Sequence, residues 1–157
     1  MTRLNELYDR DFVLWTEEQA AALRRAKDSN LPLDWENLAE EIESLGKSDR
    51  RALTSRIRRI LHHLLKLEVL PADDARAGWR STIRDARAQI KELLRDSPSL
   101  RRHIEGMLAE QINTAAQLAE DDFARHGEAT GKIRSRVEEG GFTAEQVLGD
   151  WFPEASG

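Results

Sequence analysis

The chain has 157 residues, of which 34% are charged and 39% hydrophobic, and its formal net charge is −5. Proteins that coat nucleic acids are normally basic, so general nucleic-acid binding is disfavoured. The sequence contains no cysteine, which excludes a disulfide framework, a thiolate metal site and a cysteine nucleophile. No apolar run approaches the roughly 20 residues that span a bilayer, and the N-terminus carries charges throughout. We therefore expect a cytoplasmic protein with no membrane partner.

Apolar residues recur at spacings of three and four along most of the chain, which is typical of amphipathic helices. Glycine and proline are scarce, at 9 and 4 residues, as in helical proteins and unlike a β-sandwich. The first helix is predicted from about Asp9 or Asp11 to Lys27. The second is predicted to begin at the N-cap residue Asp34 and to end at Gly46, which stands where a helix-terminating glycine belongs.

The third predicted helix begins near Ser48 and ends before Pro71, because the residue before a proline disfavours helical geometry. Residues 72–78 are predicted as a loop, and the fourth helix extends from Trp79 to about Leu93. The apolar seams of both helices have the spacing 4, 3, 4, 3. Each helix carries only one apolar stripe, so none is stable alone and the helices must pack on one another.

The fifth helix has the clearest start signal, with Ser97 as cap and Pro98 in the first helical position, and it continues to about Phe123. Residues 127–141 have a looser composition, and Thr143 to Leu148 is predicted as a last short helix. The predicted fold class is therefore all-α. The short connections favour an up-and-down helical bundle of about five main helices plus a short C-terminal helix.

Residues 1–126 are predicted to form the bundle domain, with residues 127–157 as a loop, short helix and tail packed on the same domain. Two adjacent aromatic residues, Trp151 and Phe152, stand in this polar tail. They must dock on the bundle or on another chain, because paired aromatic side chains are costly to leave in water. The apolar seams and the aromatic tail favour a homodimer or a small protein partner.

Five stretches of the sequence occur together in an order that is similar to a known bacterial family. They are Tyr8 to Phe12 with Trp15, Asp34 to Gly46, His63 to Lys66, Trp79 to Ile83, and Ser97 to Leu100. In that order they resemble the family catalogued as domain of unknown function 29. The resemblance covers roughly Leu7 to Phe123. It implies an α-helical bacterial protein, and it implies no activity because none is assigned to the family.

The third predicted helix carries two adjacent histidines in an arginine-rich run. At 100° per residue, His62 falls opposite the apolar seam and is predicted to face water, whereas His63 falls at the edge of the seam. Arg56 lies on the same side as His63, two turns earlier. If the second and third helices form an antiparallel hairpin, Glu41 meets Arg56 or His63, with Asp34 on the same flank as Glu41. The favoured interpretation is a polar contact that ties the two helices together.

A second interpretation is a metal-independent ribonuclease of toxin type. The higher-eukaryote and prokaryote nucleotide-binding (HEPN) ribonucleases are helical bundles in which one helix carries an arginine, four to six intervening residues and then a histidine, a spacing that Arg56 has with both His62 and His63. This chain is similar in that Arg56 and His63 share a face, while Arg58 also has the spacing but lies on the other flank. Histidine can shuttle a proton near neutral pH, and arginine can stabilise the charge of a phosphorane. Nucleic acid is an expected ligand only under this interpretation.

A third interpretation is a divalent metal site, since helical bundles hold metals with glutamate and histidine from facing helices. Asp34, Glu41 and His63 supply three ligands at most, so we predict no resident metal. No glycine-rich loop follows a strand, and we predict no cofactor. Residues 120–122 are predicted to be an exposed acidic patch. The function expected from the sequence is a binding or regulatory module with an unknown partner.

Overall fold

The computed structural model describes residues 3–69, 74–124 and 130–154. Within these ranges the chain is helical and has no strand, which confirms the predicted all-α fold class. The helices are α1 Arg3–Arg10, α2 Phe12–Arg25, α3 Trp35–Val69, α4 Arg76–Asp96, α5 Ile104–Phe123, α6 Thr130–Glu138 and α7 Ala144–Leu148, with 3-10 segments at Ala26–Asp28 and Pro98–His103. None of the helices in the described ranges has the length and apolar character that a bilayer crossing requires.

The chain divides into two compact units. The first unit comprises Met1–Leu53 and Glu92–Arg102, and the second comprises Thr54–Lys91 and His103–Gly157. The predicted boundary at residue 126 falls among residues that the structure does not describe, so that division stays a prediction.

In the first unit, two helix starts cap each other. Asp11 is buried, and its carboxylate accepts a hydrogen bond from the backbone N–H of Leu14 at 2.9 Å, which caps α2. The same carboxylate accepts hydrogen bonds from the N–H and hydroxyl of Ser99, at 2.7 and 2.8 Å. Ser97, expected to cap its own helix, accepts instead from the N–H of Val13 at 3.0 Å. Two polar side chains therefore satisfy the unpaired N–H groups of two chain segments.

The predicted break between the second and third helices is wrong, because α3 is one helix of 35 residues. Asp34 caps it as predicted, accepting from the N–H of Asn37 at 3.3 Å. Gly46 lies within the helix and does not end it, and Ser48 caps nothing there. A Cβ atom at Gly46 would overlap the hydroxyl of Thr16 on α2. The glycine thus serves a close approach of two helices, a role that sequence alone does not distinguish from helix termination.

The 3, 4, 3 spacing of Trp35, Leu38, Ile42 and Leu45 predicts the seam of the first half of α3, and this prediction is wrong for Leu38 and Leu45. Leu38 and Leu45 are 40% and 52% exposed, whereas Ala39 is fully buried and Gly46 is buried. Small residues face α2 because the two backbones approach closely, and this leaves the larger leucines on the outside.

In the second unit the predicted seams are confirmed. Ile57, Ile60, Leu64 and Leu67 of α3 are fully buried, together with Ile83 of α4 and Ala115 of α5. Leu61 and Leu65, which lie outside the predicted seam, are buried as well. The apolar stripe of α3 is therefore wider in this unit than the 4, 3, 4, 3 spacing suggests.

The predicted loops are shorter than expected. Residues 70–73 lie outside the described residues, and the second half of the predicted 72–78 loop is the first turn of α4. Residues 125–129 also lie outside the described residues, but most of the segment predicted as loose forms α6. This helix was missed because Ile133, which is fully buried, is one of only two large apolar residues in it.

The predicted short C-terminal helix is confirmed as α7. The hydroxyl of Thr143 accepts from the N–H of Gln146 at 3.1 Å, and the Gln146 side chain accepts from the N–H of Thr143 at 2.9 Å, which forms a capping box. Beyond α7, Phe152 packs against arginines of α4, and the ring centroid of Trp151 lies 6.0 Å from that of Phe142. Both tail aromatics therefore contact the second unit, one of the two outcomes expected for them.

The contact between Gly46 and Thr16 predicts how substitutions affect stability. Gly46→Ala should lower the free energy of unfolding by about 1–3 kcal/mol, because the added methyl group overlaps the Thr16 hydroxyl. In a Thr16→Ala background the same substitution should cost less, and chemical denaturation of the four variants measures the difference. Gly106→Ala is the matched control, because a Cβ atom there meets nothing within 4 Å and should stabilise α5 by about 0.5–1 kcal/mol. Equal costs of Gly46→Ala in both backgrounds would contradict the proposed overlap.

Candidate functional site

A small cleft on the second unit brings together both histidines that the sequence singled out and two neighbouring arginines. Its volume is about 160 Å³, and it is lined by Ser55, Arg58, Arg59, His62, His63 and Leu118. The first five residues lie on α3 at spacings of three and four, which place side chains on a shared face of a helix. Leu118 belongs to α5. At about 30 Å³ per water molecule, the cleft has room for about five waters or one small anion.

His62 does not face water, contrary to the prediction, because it points at α5. Its Nε2 atom lies 2.7 Å from Oδ2 of Asp122, and its side chain is only 18% exposed. A carboxylate oxygen accepts hydrogen bonds, so Nε2 of His62 carries the hydrogen. Asp121 and Asp122 are exposed, as predicted for residues 120–122, whereas the Glu120 side chain is only 16% exposed and pairs with Arg134. The Asp122 carboxylate contacts α3 from this exposed position.

Lys66 is the second partner of Asp122. Its Nζ atom lies 2.9 Å from the same Oδ2 atom, and it also lies 4.6 Å from the centroid of the Trp79 ring. The Trp79 ring in turn makes an edge contact with Phe123 at a centroid distance of 6.5 Å. An ammonium group between a carboxylate and an aromatic face is stabilised by both. These contacts fix Asp122 against α3 and so fix the orientation of His62.

His63 lies beside His62, with ring centroids 4.7 Å apart. Its Nδ1 atom lies 2.9 Å from the carbonyl oxygen of Arg59, one turn earlier on α3. Because a carbonyl oxygen only accepts, Nδ1 carries the hydrogen, and in the neutral ring Nε2 is a hydrogen-bond acceptor and a base. The helix backbone thus selects the tautomer of His63.

Burial lowers the pKa of both histidines. For His62 the hydrogen bond to Asp122 raises the pKa, but the effect of burial is larger. For His63 the Arg59 carbonyl raises the pKa, whereas His62 and Lys66 lower it further. Burial would raise the pKa of Asp122, but hydrogen bonds from Lys66 and His62 leave it below its ordinary range. Near pH 7 the site therefore holds neutral imidazoles and an ionised carboxylate.

The arginines of α3 point in different directions. Nη1 of Arg58 lies 3.5 Å from the side-chain oxygen of Gln111 on α5, and Arg59 is exposed. Arg56 donates from Nε to the side-chain oxygen of Gln89 on α4 and does not line the cleft. The structure therefore brings Arg58 and Arg59 to the histidines, in place of the predicted Arg56.

The family model described as "Domain of unknown function DUF29" matches residues 7–152 of the chain. The chain belongs to the DUF29 family. Among solved structures, it is similar to the crystal structure of an alpha-helical protein of unknown function from Rhodospirillum rubrum, with 25% sequence identity and a TM-score of 0.71. The match covers 90% of this chain and 88% of that one. A search of curated proteins found no match. The resemblance expected over Leu7 to Phe123 is confirmed and extends into the C-terminal segment.

In this DUF29 member the predicted polar site around Glu41 is not formed. Glu41 and His63 lie about six turns apart on the same helix, so the rise of 1.5 Å per residue separates them by about 33 Å. The hairpin that would have joined them does not exist, because α3 continues through Gly46. Asp34 acts as a helix cap, and Glu41 is exposed. The same spacing along α3 prevents Asp34, Glu41 and His63 from sharing a metal ion.

The carboxylate that does tie helices together in the first unit is Glu43. It accepts a hydrogen bond from Nη1 of Arg24 on α2 at 2.5 Å and lies 2.9 Å from Nζ of Lys47. Hydrogen bonds from Lys47 and Arg24 lower the pKa of Glu43 to about 2. The sequence contains a signal that Glu43 contacts a neighbouring helix. Glu43 lies four residues after Ala39 and three before Gly46, on the same face of α3 as these two buried residues.

Asp122 is the site residue that sequence reasoning missed in the DUF29 chain. It lies 60 residues from His62 and has no local motif around it. The burial of Leu61 and Leu65 is the one available signal, because these leucines widen the apolar stripe of α3 toward His62. A wider stripe places a neighbouring helix beside His62, but it does not say which residue of that helix meets the ring.

The lowered pKa values of His62 and His63 predict how stability changes with pH. As the pH falls through 6.5, the ordinary histidine value, the unfolded chain takes up protons that the folded site resists. The free energy of unfolding should therefore be largest above about pH 7 and should fall toward pH 5. Urea unfolding at several pH values measures this, and a His62→Asn/His63→Asn variant should lose less stability over the same range. An identical pH dependence in the two proteins would contradict the assignment to these histidines.

Proposed function

We propose that this protein is a binding module whose ligand carries a phosphate group, and that the group docks in the cleft lined by Arg58, Arg59, His62 and His63. The observation that carries the proposal is the convergence of two guanidinium groups and two imidazoles on one cleft of about 160 Å³. Arginine offers paired N–H donors that match phosphate oxygens, and Ser55 adds a hydroxyl donor. This proposal refines the binding module that the sequence predicts.

The donors of the cleft are available to a ligand. Arg59 is exposed, and no hydrogen bond or ion pair of its side chain occurs within the described part of the chain. Among the contacts of the described residues, Arg58 uses only Nη1, in a long contact with Gln111. An anion beside His63 raises the pKa of that imidazole, so binding adds a proton and a further donor. Binding should therefore strengthen as the pH falls from 8 to about 6.

Calorimetric titration with inorganic phosphate tests this proposal. An Arg58→Ala/Arg59→Ala variant should bind phosphate at this cleft at least about tenfold more weakly, because it loses two charge-assisted donors. Arg56→Ala is the matched control on the same helix, since Arg56 contacts Gln89 and does not line the cleft. Backbone amide NMR shifts at residues 55–63 identify the cleft as the binding site. Loss of these shifts in Arg56→Ala as well, or no shifts in the wild type, would overturn the proposal.

A second candidate function is metal-independent RNA cleavage at the same cleft. The observation that favours it is the tautomer of His63, whose Nδ1 donates to the Arg59 carbonyl and leaves Nε2 as a base. Such a base can remove the proton from a ribose 2′-hydroxyl, and Arg58 or Arg59 can stabilise charge on the phosphorus oxygens. The catalytic pair is then His63 with Arg58 or Arg59, and not the predicted His63 with Arg56.

Incubation of RNA with the protein in the presence of a chelator separates cleavage from binding. Cleavage requires that His63→Ala lowers the rate by about 100-fold or more, because a general base is lost. Arg56→Ala should cleave like the wild type, while Arg59→Ala should be slower. RNA that stays intact with the wild-type protein rules out the ribonuclease and leaves the phosphate-binding proposal standing.

A cytoplasmic location and a homodimer or small protein partner belong to the same proposal. The exposed Leu38 and Leu45 on α3 support a partner, because they present a pair of large apolar side chains about two helical turns apart in the first unit. Sedimentation of the purified protein and fractionation of expressing cells test these two statements directly.

A further inference from the structure

A second cationic cluster lies on α4 of the second unit, around the ring of Phe152. Arg80, Arg84 and Arg87 occupy positions i, i+4 and i+7 of the helix, which place them on one face. Their guanidinium carbons lie 5.6, 5.1 and 4.9 Å from the centroid of the Phe152 ring. Three cations thus surround one aromatic side chain.

Arg87 anchors this cluster from inside the protein. It is only 5% exposed, and its Nε and Nη2 atoms donate to the carbonyl oxygens of Val147, Gln146 and Trp151 at 2.9, 2.8 and 2.7 Å. Its Nη1 atom is buried and has no hydrogen-bond partner among the described residues. A buried donor without an acceptor is costly, and this cost is offset by the three backbone contacts through which Arg87 holds the C-terminal segment against α4.

The cluster carries more positive charge than its neighbours balance. Arg80 and Arg84 are exposed, and within the described ranges neither forms a hydrogen bond or an ion pair. The carboxylate that acts on Arg87 is that of Asp150, whereas burial and the charge of Arg84 lower the pKa of Arg87. Asp150 is therefore the carboxylate that acts on Arg87, and the two exposed guanidinium groups have no ion-pair partner within the described residues. Such a surface attracts anions with more than one charge.

We propose that the exposed Arg80 and Arg84 of α4, next to the buried Arg87, bind a pyrophosphate group, with Phe152 holding the guanidinium groups in place. Pyrophosphate carries several negative charges over two linked phosphates, which suits neighbouring arginine forks one turn apart on a helix. A ligand with a single carboxylate would supply only one negative charge, fewer than the positive charges of Arg80 and Arg84. Phe152 contributes by cation–π attraction, which orients the cations without neutralising them. This site rests on residues other than those of the phosphate cleft and does not depend on the proposed function.

Calorimetric titration with inorganic pyrophosphate tests the proposal, with sulfate at equal ionic strength as the reference anion. The wild-type protein should bind pyrophosphate more tightly than sulfate, and Arg80→Ala/Arg84→Ala should weaken pyrophosphate binding by about tenfold or more. The matched control is Arg51→Ala/Arg101→Ala, which removes the same charge from two exposed arginines of the first unit. The control should bind like the wild type, and so should the Arg58→Ala/Arg59→Ala variant at the α4 site.

Equal weakening in the control pair would overturn the proposal, since it would show a general charge effect. Pyrophosphate binding no tighter than sulfate binding would overturn it as well. Loss of pyrophosphate binding only in Arg58→Ala/Arg59→Ala would assign it to the cleft of α3 and α5 instead and would also count against the α4 site. A parallel titration with ADP identifies the source of the group: tighter binding than pyrophosphate indicates a nucleotide, and equal or weaker binding indicates the free diphosphate.

Phe152→Leu tests the part that the aromatic ring plays. Leucine keeps an apolar side chain at the position but has no ring face to attract guanidinium groups, so pyrophosphate binding should weaken by a few-fold. Unchanged binding with an unchanged melting temperature would overturn the role given to Phe152.

Discussion

The uninterrupted course of α3 is the constraint on which the candidate sites depend. A helix of 35 residues cannot fold its two halves against each other, so residues of its first and second halves serve different units. Asp34, Glu41 and Glu43 belong to the first unit, where Glu43 forms the ion pairs. The histidines belong to the second unit, where their partner comes from α5. Gly46 permits this course because it lets Thr16 approach the helix without ending it.

Periodicity predicted the fold class and the core of the second unit, because Ile57, Ile60 and Leu64 are large, apolar and buried by large neighbours. It failed in the first half of α3, where close packing selects small residues. There Ala39 and Gly46 are buried while Leu38 and Leu45 are exposed. A hydrophobic pattern weights side chains by apolar size, so it assigns such an interface to the wrong face of the helix.

The site was predicted in part. The sequence singled out His63 and an arginine on the same helix, and the cleft contains His63 with Arg58 and Arg59. The helical periodicity of 100° per residue predicted that His62 faces water, because the centre of the apolar seam was calculated without Leu61 and Leu65. The burial of these two leucines shifts the apolar stripe toward His62. Asp122 and Gln89 could not be predicted as partners of His62 and Arg56, because each lies on another helix. Local residue spacing does not show which helices pack against each other. The net charge of −5 likewise did not predict the two local clusters of arginines, because a net charge does not show where the charged residues lie on the surface.

The two cationic clusters differ in how they respond to protons, and the difference bears on the chemistry each can do. The α4 arginines stay charged at every physiological pH, so they attract an anion but transfer no proton. In the cleft of α3 and α5, burial lowers the pKa of both imidazoles, and one hydrogen bond opposes it in each, from Asp122 for His62 and from the Arg59 carbonyl for His63. Both rings are therefore neutral near pH 7. Nε2 of His62 is directed at Asp122, whereas His63 is held through Nδ1 and keeps Nε2 as an acceptor. A neutral imidazole with an accessible ring nitrogen is what a general base requires, so the contact that orients His62 toward Asp122 leaves His63 as the base if RNA is cleaved there.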